Sequence, residues 1–191
     1  MPKIFGIVNI TNDSFSDGGQ YLAPEKTIAH AQYLVDAGAA VLDIGPASSH
    51  PDAGAVTPAE EIARLQGVWA PLKALPASLS VDSFQLETQR WAIAHGADWL
   101  NDINGFAEPS LYDELADAPC RLVVMHAIQS KGIARRAPAP DGDIWDHILR
   151  FFETRLKALE EAGIARDRLV IDPGMGFFLG NDPQTSLRVL G

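Results

Sequence analysis

Ile4-Phe5-Gly6-Ile7-Val8-Asn9 is an apolar run that ends on an asparagine, and it leads directly into Ile10-Thr11-Asn12-Asp13-Ser14-Phe15-Ser16-Asp17-Gly18-Gly19. The run is short, rich in isoleucine and valine, and continuous rather than alternating. That is the form of a strand covered on both faces, as in a parallel sheet flanked by helices. The same form returns at 40–45 (AVLDIG), 78–82 (SLSVD), 98–102 (DWLND), 121–126 (RLVVMH) and 168–172 (RLVID). Polar residues fall at the C-terminal ends of these runs: Asn9, Asp43, Asp82, Asn101, Asp102, His126 and Asp172.

Helical patterns separate the runs. Pro24 suits a first helical position, and Gly38 closes that helix. Thr57-Pro58-Ala59-Glu60 has the form of a capping box, with Thr57 at the N-cap and Glu60 three residues on. Further helices are expected from Ser83 or Phe84 to His95, over 143–162 before Gly163, and from about Gln184. Strand and helix thus alternate six times. Such an order fits a doubly wound sheet or part of an eightfold barrel. No Gly-x-Gly-x-x-Gly follows the first strand, which counts against a dinucleotide fold. Polar residues at strand C-termini are what a barrel gathers at its mouth. The chain is therefore read as one α/β domain over 1–191, an incomplete TIM (β/α)8-type barrel holding about six of the eight βα units.

Of the 191 residues, 47% are hydrophobic, enough for one substantial core. No apolar run approaches the roughly 18–20 residues that cross a bilayer, and no signal-peptide pattern opens the chain. Cys120 is the only cysteine, so no internal disulfide can form and a reducing compartment is expected. These features together give a cytoplasmic location. The net charge of −10 argues against a nucleic-acid partner. It also means that any anionic substrate must be met by local amides, helix N-termini, a metal ion or a few placed cations.

Asp82, Asn101 and Asp172 offer two carboxylates and one amide, a set able to bind the amino-amide edge of a planar heterocycle. Taken singly, each is equally a cap or turn residue. The segment 9–19 can present amides and hydroxyls to phosphate and oxygen atoms to a metal, though the same residues also dominate ordinary turns. His126 is a candidate base whose plainer role is a hydrogen-bonded residue at a strand end. Arg135 and Arg136 read as solvated loop charges.

The string Asn-x-Thr-x-Asp-Ser-Phe-Ser-Asp-Gly-Gly at 9–19 resembles the signature of dihydropteroate synthases. Asp43-Ile44-Gly45-Pro46-Ala47-Ser48-Ser49-His50-Pro51, Ser80-Val81-Asp82-Ser83, Asn101-Asp102-Ile103 and Asp172-Pro173-Gly174-Met175-Gly176-Phe177 resemble further motifs of that family in order and spacing. The wording is similar to that of the mobile, sulfonamide-resistant synthases. Where the family commonly has Glu-Ser-Thr-Arg-Pro, this chain has Ala47-Ser48-Ser49-His50-Pro51, so His50 replaces an arginine with a weaker anion partner.

The resemblance implies condensation of 6-hydroxymethyl-7,8-dihydropterin diphosphate with p-aminobenzoate, insensitive to sulfonamides. Asp82, Asn101, Met125 and Asp172 would bind the pterin, with Asp82, Asn101 and Asp172 central to catalysis. Ser49, Pro51 and Phe177 would line the p-aminobenzoate pocket. Asn9, Thr11, Ser14, Ser48 and His50 would serve the diphosphate and its loops, and Asn9 would meet Mg²⁺. A homodimer is the implied assembly of the full-length enzyme. The family's Ser-Arg-Lys and Arg-x-His motifs do not occur in 1–191. The chain is therefore expected to stop before the last two strands, leaving open edges and an unstable or inactive product. The rival readings are a non-catalytic pterin-binding remnant and a pterin-dependent methyltransferase barrel. The latter should lack the 13–19 loop.

Overall fold

The computed structural model describes residues 2–10, 22–129 and 132–191. Thr11 and Ser14 lie outside the described residues. Six strands, β1 (Phe5–Asn9), β2 (Val41–Gly45), β3 (Ser78–Asp82), β4 (Trp99–Asp102), β5 (Arg121–Met125) and β6 (Leu169–Asp172), form one sheet in chain order. Each is followed by a helix: α1 (Leu22–Asp36), α2 (Pro58–Lys73), α3 (Leu86–Ala94), α4 (Tyr112–Asp117), α5 (Ile144–Glu161) and α6 (Pro183–Leu190). A doubly wound sheet reverses its strand order at a switch point. No reversal occurs here, so the six units follow the singly wound order of a (β/α)8-type barrel.

The chain separates into two compact units, one of Met1–Ser48 with Gly54–Leu100 and one of Ser49–Ala53 with Asn101–Gly191. The boundary falls inside β4.

In the first unit, β1 pairs with β2 and β2 with β3, all parallel. Val41, Leu42 and Ile44 of β2 are fully buried, which accounts for the unbroken apolar reading of that run. Gly6 lets α1 close on β1: a Cβ there would lie 3.0 Å from Ala39 Cβ and 3.1 Å from Leu34 Cβ. The capping box of α2 forms as expected, with Glu60 N–H donating to Thr57 Oγ1 at 3.3 Å and Thr57 N–H to Glu60 Oε2 at 2.7 Å. Pro24 stands third in α1 rather than first, still inside the turn where its missing N–H costs nothing.

Helix α3 starts later than the expected Ser83, because Ser83 is engaged elsewhere. Its hydroxyl donates to Glu61 Oε2 at 2.6 Å and accepts from Gln85 N–H at 3.1 Å. Its carbonyl accepts from Gln89 Nε2 at 2.8 Å. Buried Glu61 thus anchors the turn that follows Asp82.

In the second unit, β5 pairs in parallel with β6. Helix α4 has only six residues and follows a single 3₁₀ turn over Pro109–Leu111, too short to show a helical period. Its terminal carbonyls need partners, and Arg168 supplies them. That guanidinium donates to Leu115 O at 2.7 Å, Ala116 O at 3.3 Å and Cys120 O at 2.9 Å. Asp143 caps α5 through Trp145 N–H at 3.0 Å, and Asp182 caps α6 through Gln184 N–H at 2.9 Å. Strands β1 and β6 are the sheet edges. Ile7 and Ile171 on them are 62% and 55% exposed although each lies within its strand.

Gly174, just past β6, has φ +73°, and a Cβ there would lie 2.3 Å from the carbonyl oxygen of His126. Gly174→Ala is expected to lower unfolding stability by about 2–3 kcal/mol, from left-handed strain plus a backbone clash. The control Gly54→Ala, with nothing within 4 Å of the added carbon, should leave the denaturant midpoint nearly unchanged.

Candidate active site

The register Asn9↔Gly45 brings the ends of β1 and β2 side by side, and the pairing Ile44↔Val81 puts Asp82 next along the same row. Gly45 is the decisive member. A Cβ there would lie 3.0 Å from Asn9 Oδ1 and 4.0 Å from Asp82 Oδ2. The missing side chain leaves a space flanked by an amide oxygen and, farther off, a carboxylate oxygen. Asn9 is exposed and Asp82 half-buried. Sequence reading singles out Asn9 and Asp82 but not the glycine between them. Its only sequence signal is its place at the end of the 40–45 run.

Asp43 sits lower than expected. It lies two residues before the end of β2, paired with Ile7 and Ser80, and is 9% exposed. The β-period of two puts it on the face that carries Gly45, one layer beneath the row.

In the second unit, Asn101 and Asp102 occupy the end of β4, and Met125 is level with Asp172 at the ends of β5 and β6. The two aspartates behave differently. Asp102 is buried and closes its own turn, accepting from Asn104 N–H at 2.7 Å and Phe106 N–H at 3.1 Å. Here the structural role is the observed one. Asp172 is half-buried and accepts Gly174 N–H on Oδ1 at 2.8 Å, which orients the carboxylate. Asn101 is half-buried.

His126 is 3% exposed, with its ring edge against Phe151 at 5.3 Å and Nδ1 3.0 Å from Pro173 O. Its backbone N–H donates to Asp172 O at 2.8 Å. The residue joins β5 to β6, the structural role weighed against that of a base.

The loop residues Ser49, His50, Pro51 and Asp52 share the second unit with Phe177. The His50 and Phe177 rings meet edge to face at 5.8 Å. Arg136 is an exposed loop charge, as expected, but a paired one. Its guanidinium donates to both oxygens of Asp52 at 2.5 Å and lies 5.7 Å from the Phe177 ring centre. Asp52 and Arg136 are 84 residues apart, and nothing in the sequence pairs them. Ser48, half-buried, remains with the first unit.

The family model for pterin binding enzymes matches residues 5–191. The dihydropteroate synthase type-2 of Escherichia coli is 56% identical over 187 residues, covering 98% of this chain and 69% of its own length. The type-3 synthase of Escherichia coli is 50% identical over 190 residues, covering 100% of this chain and 72% of its own. The chain belongs to the dihydropteroate synthase family of pterin-binding enzymes. A Xanthomonas albilineans dihydropteroate synthase solved with 4-aminobenzoic acid superposes with a TM-score of 0.87 at 39% identity, over 99% of this chain and 66% of that one. A Burkholderia cenocepacia dihydropteroate synthase complexed with 7,8-dihydropteroate gives 0.84 at 31% identity, over 100% of this chain and 65% of that one. The chain thus spans about two thirds of the length of these relatives. No helix among the described residues is long and apolar enough to cross a membrane.

Burial, the largest influence, pulls the His126 pKa below its ordinary value, against the opposing pull of the Pro173 hydrogen bond. The unfolded chain therefore takes up this proton at a higher pH than the fold does. Stability contributed by the neutral ring is complete above the unfolded value near ~6.5 and is lost as pH falls toward the lower folded value. The denaturant midpoint of the wild type should drop more steeply below pH ~6.5 than that of His126→Asn. The difference in slope cannot exceed about 1.4 kcal/mol per pH unit for one proton.

Proposed function

We propose that the chain serves the synthesis of 7,8-dihydropteroate from 6-hydroxymethyl-7,8-dihydropterin diphosphate and p-aminobenzoate, a transferase step of folate biosynthesis. The observation that carries this reading is the row at the strand ends, where Asn9 Oδ1 and Asp82 Oδ2 flank the space that Gly45 leaves open. The reading is supported by relatives that are themselves synthases, one solved with 4-aminobenzoic acid and one with 7,8-dihydropteroate. They favour it over a methyltransferase barrel or a non-catalytic remnant.

By carry-over of the family motifs, Asp82, Asn101, Met125 and Asp172 are assigned as pterin ligands. The two carboxylates suit a pterin whose methylene carbon gains positive charge as the diphosphate departs, since fixed negative charge stabilises that carbon more than the neutral ground state. The turn amide on Asp172 orients that carboxylate before substrate arrives, and the Glu61–Ser83 anchor fixes the turn that follows Asp82. Ser49, Pro51 and Phe177 form the arylamine pocket, while Thr11, Ser14, Ser48 and His50 act on the diphosphate side. The arylamine attacks as a neutral nucleophile, so no strong base is required, in keeping with the structural engagement of His126.

Mg²⁺ prefers oxygen ligands and commonly takes one or two from protein and the rest from phosphates and water. Asn9 Oδ1, at the exposed end of β1, is the oxygen this chain offers. When bound, Mg²⁺ offsets the charge that gathers on the departing diphosphate. Sulfonamide insensitivity, a cytoplasmic location and a homodimer complete the proposal.

The test is calorimetric titration of the purified chain with the pterin diphosphate, followed by assay of dihydropteroate formation with Mg²⁺, with and without a sulfonamide. Asp82→Asn and Asp172→Asn should each lower kcat/KM by ~100-fold, the scale of losing one preorganised charge partner in the transition state. Undiminished pterin binding and turnover in both variants would sink the assignment of these carboxylates. Gly45→Ala should weaken Mg²⁺-dependent turnover about tenfold or more by displacing Asn9 Oδ1, while pterin affinity changes less.

A further inference from the structure

Segment 134–139 is fastened on two sides. Ala134 N–H donates to Ser49 O at 3.1 Å, and Asn181 N–H donates to Ala137 O at 2.9 Å. Gly180, at φ +132°, packs so closely that a Cβ there would lie 2.8 Å from Ala139 N. The segment is thus a strap between the loop Ser49–Ala53 and the turn that carries Phe177. Arg136 stands in its middle.

The contacts of Arg136 select geometry rather than bulk stability. Its side chain and that of Asp52 are 54% and 59% exposed, and an isolated exposed pair adds little to folding. Two parallel N–H···O bonds, however, fix the plane of both partners. The guanidinium also lies 5.7 Å from the Phe177 ring centre, within cation–π range. Asp52 is tied in turn to His50, donating its N–H to His50 Nδ1 at 3.2 Å, with Asp52 Oδ2 3.8 Å from the same nitrogen. His50 touches the same Phe177 ring. Loop, strap and aromatic ring form one closed circuit: Phe177, His50, Asp52, Arg136 and back to Phe177.

We propose that Arg136 is a positioning residue for the arylamine pocket, its guanidinium latching the Ser49–Ala53 loop through Asp52 at a fixed spacing from Phe177. This rests on the reading of Ser49, Pro51 and Phe177 as the walls of that pocket. Arg136 itself touches neither pterin nor diphosphate in this scheme. Its effect falls on the second substrate.

The experiment compares wild type, Asp52→Asn, Arg136→Met and the double exchange Asp52→Arg with Arg136→Asp. Amide hydrogen exchange without substrate reads the latch alone. Exchange over 49–53 and 134–137 should quicken in both single variants and return toward wild type in the double exchange. Unchanged exchange in the single variants overturns the latch, whatever the protein catalyses. The dissociation constant of p-aminobenzoate, taken with pterin diphosphate present, then reads its purpose. It should rise about twofold to fivefold in the single variants, the range an exposed pair can supply, and recover in the exchange. Affinity for pterin diphosphate, which this loop meets only through His50, should change less than that for p-aminobenzoate. Faster exchange with unaltered p-aminobenzoate affinity, or with both affinities falling together, overturns the positioning role. Absence of p-aminobenzoate binding in wild type overturns it along with the pocket reading, while the exchange data still judge the latch.

Discussion

In parallel pairing, the last residue of one strand lies beside the last residue of the next only if the register is kept along the whole ladder. From Phe5↔Val41 to Asn9↔Gly45 it is kept, and β3 continues it. A slip of one residue would turn Asn9 and Asp82 toward the helices and bring apolar side chains to the row. The buried faces of β2 forbid that slip, because Leu42 and Ile44 have their places among the helices and Asp43 has its own on the other face. Core packing in the first unit therefore sets the geometry of its polar row. The row in turn depends on an absence, since any side chain at position 45 would occupy the space into which Asn9 Oδ1 leans.

The strands were legible because they are short, continuous apolar runs, and each observed strand lies within its expected run, although β1 and β6 leave Ile7 and Ile171 exposed. The capping box and the glycine-closed end of α5 were legible because caps are local chemistry. What stayed hidden was non-local. The start of α3 is moved by a buried glutamate 22 residues earlier, which draws Ser83 into a network instead of a cap. Asp43 and Asp102 look like strand-end site residues, yet one is buried a layer down and the other is consumed by its own turn. Arg136 is the exposed loop charge it looks like, but its partner Asp52 is brought to it only by the fold.

Three turns after strands thus hold their carboxylates in different ways. Asp82 is followed by a turn anchored from outside, Asp102 anchors its own turn, and Asp172 accepts a single amide while its turn is shaped by Gly174 against His126. These differences matter for chemistry, because a carboxylate that uses both oxygens for structure has little left to offer a cationic ligand. They separate candidates that composition and position alone treat as equal.

The loop Ser49–Ala53 belongs to the second compact unit although it lies in the first half of the chain. A cut within β4, where the two units meet in sequence, would therefore leave Asp52 on one polypeptide and Arg136 on the other. Reassembly of such halves would have to thread a five-residue loop onto its distant partners. Fragment complementation across β4 should accordingly depend on ionic strength, as a screened and exposed ion pair does, whereas a cut that keeps loop and strap on one piece should not.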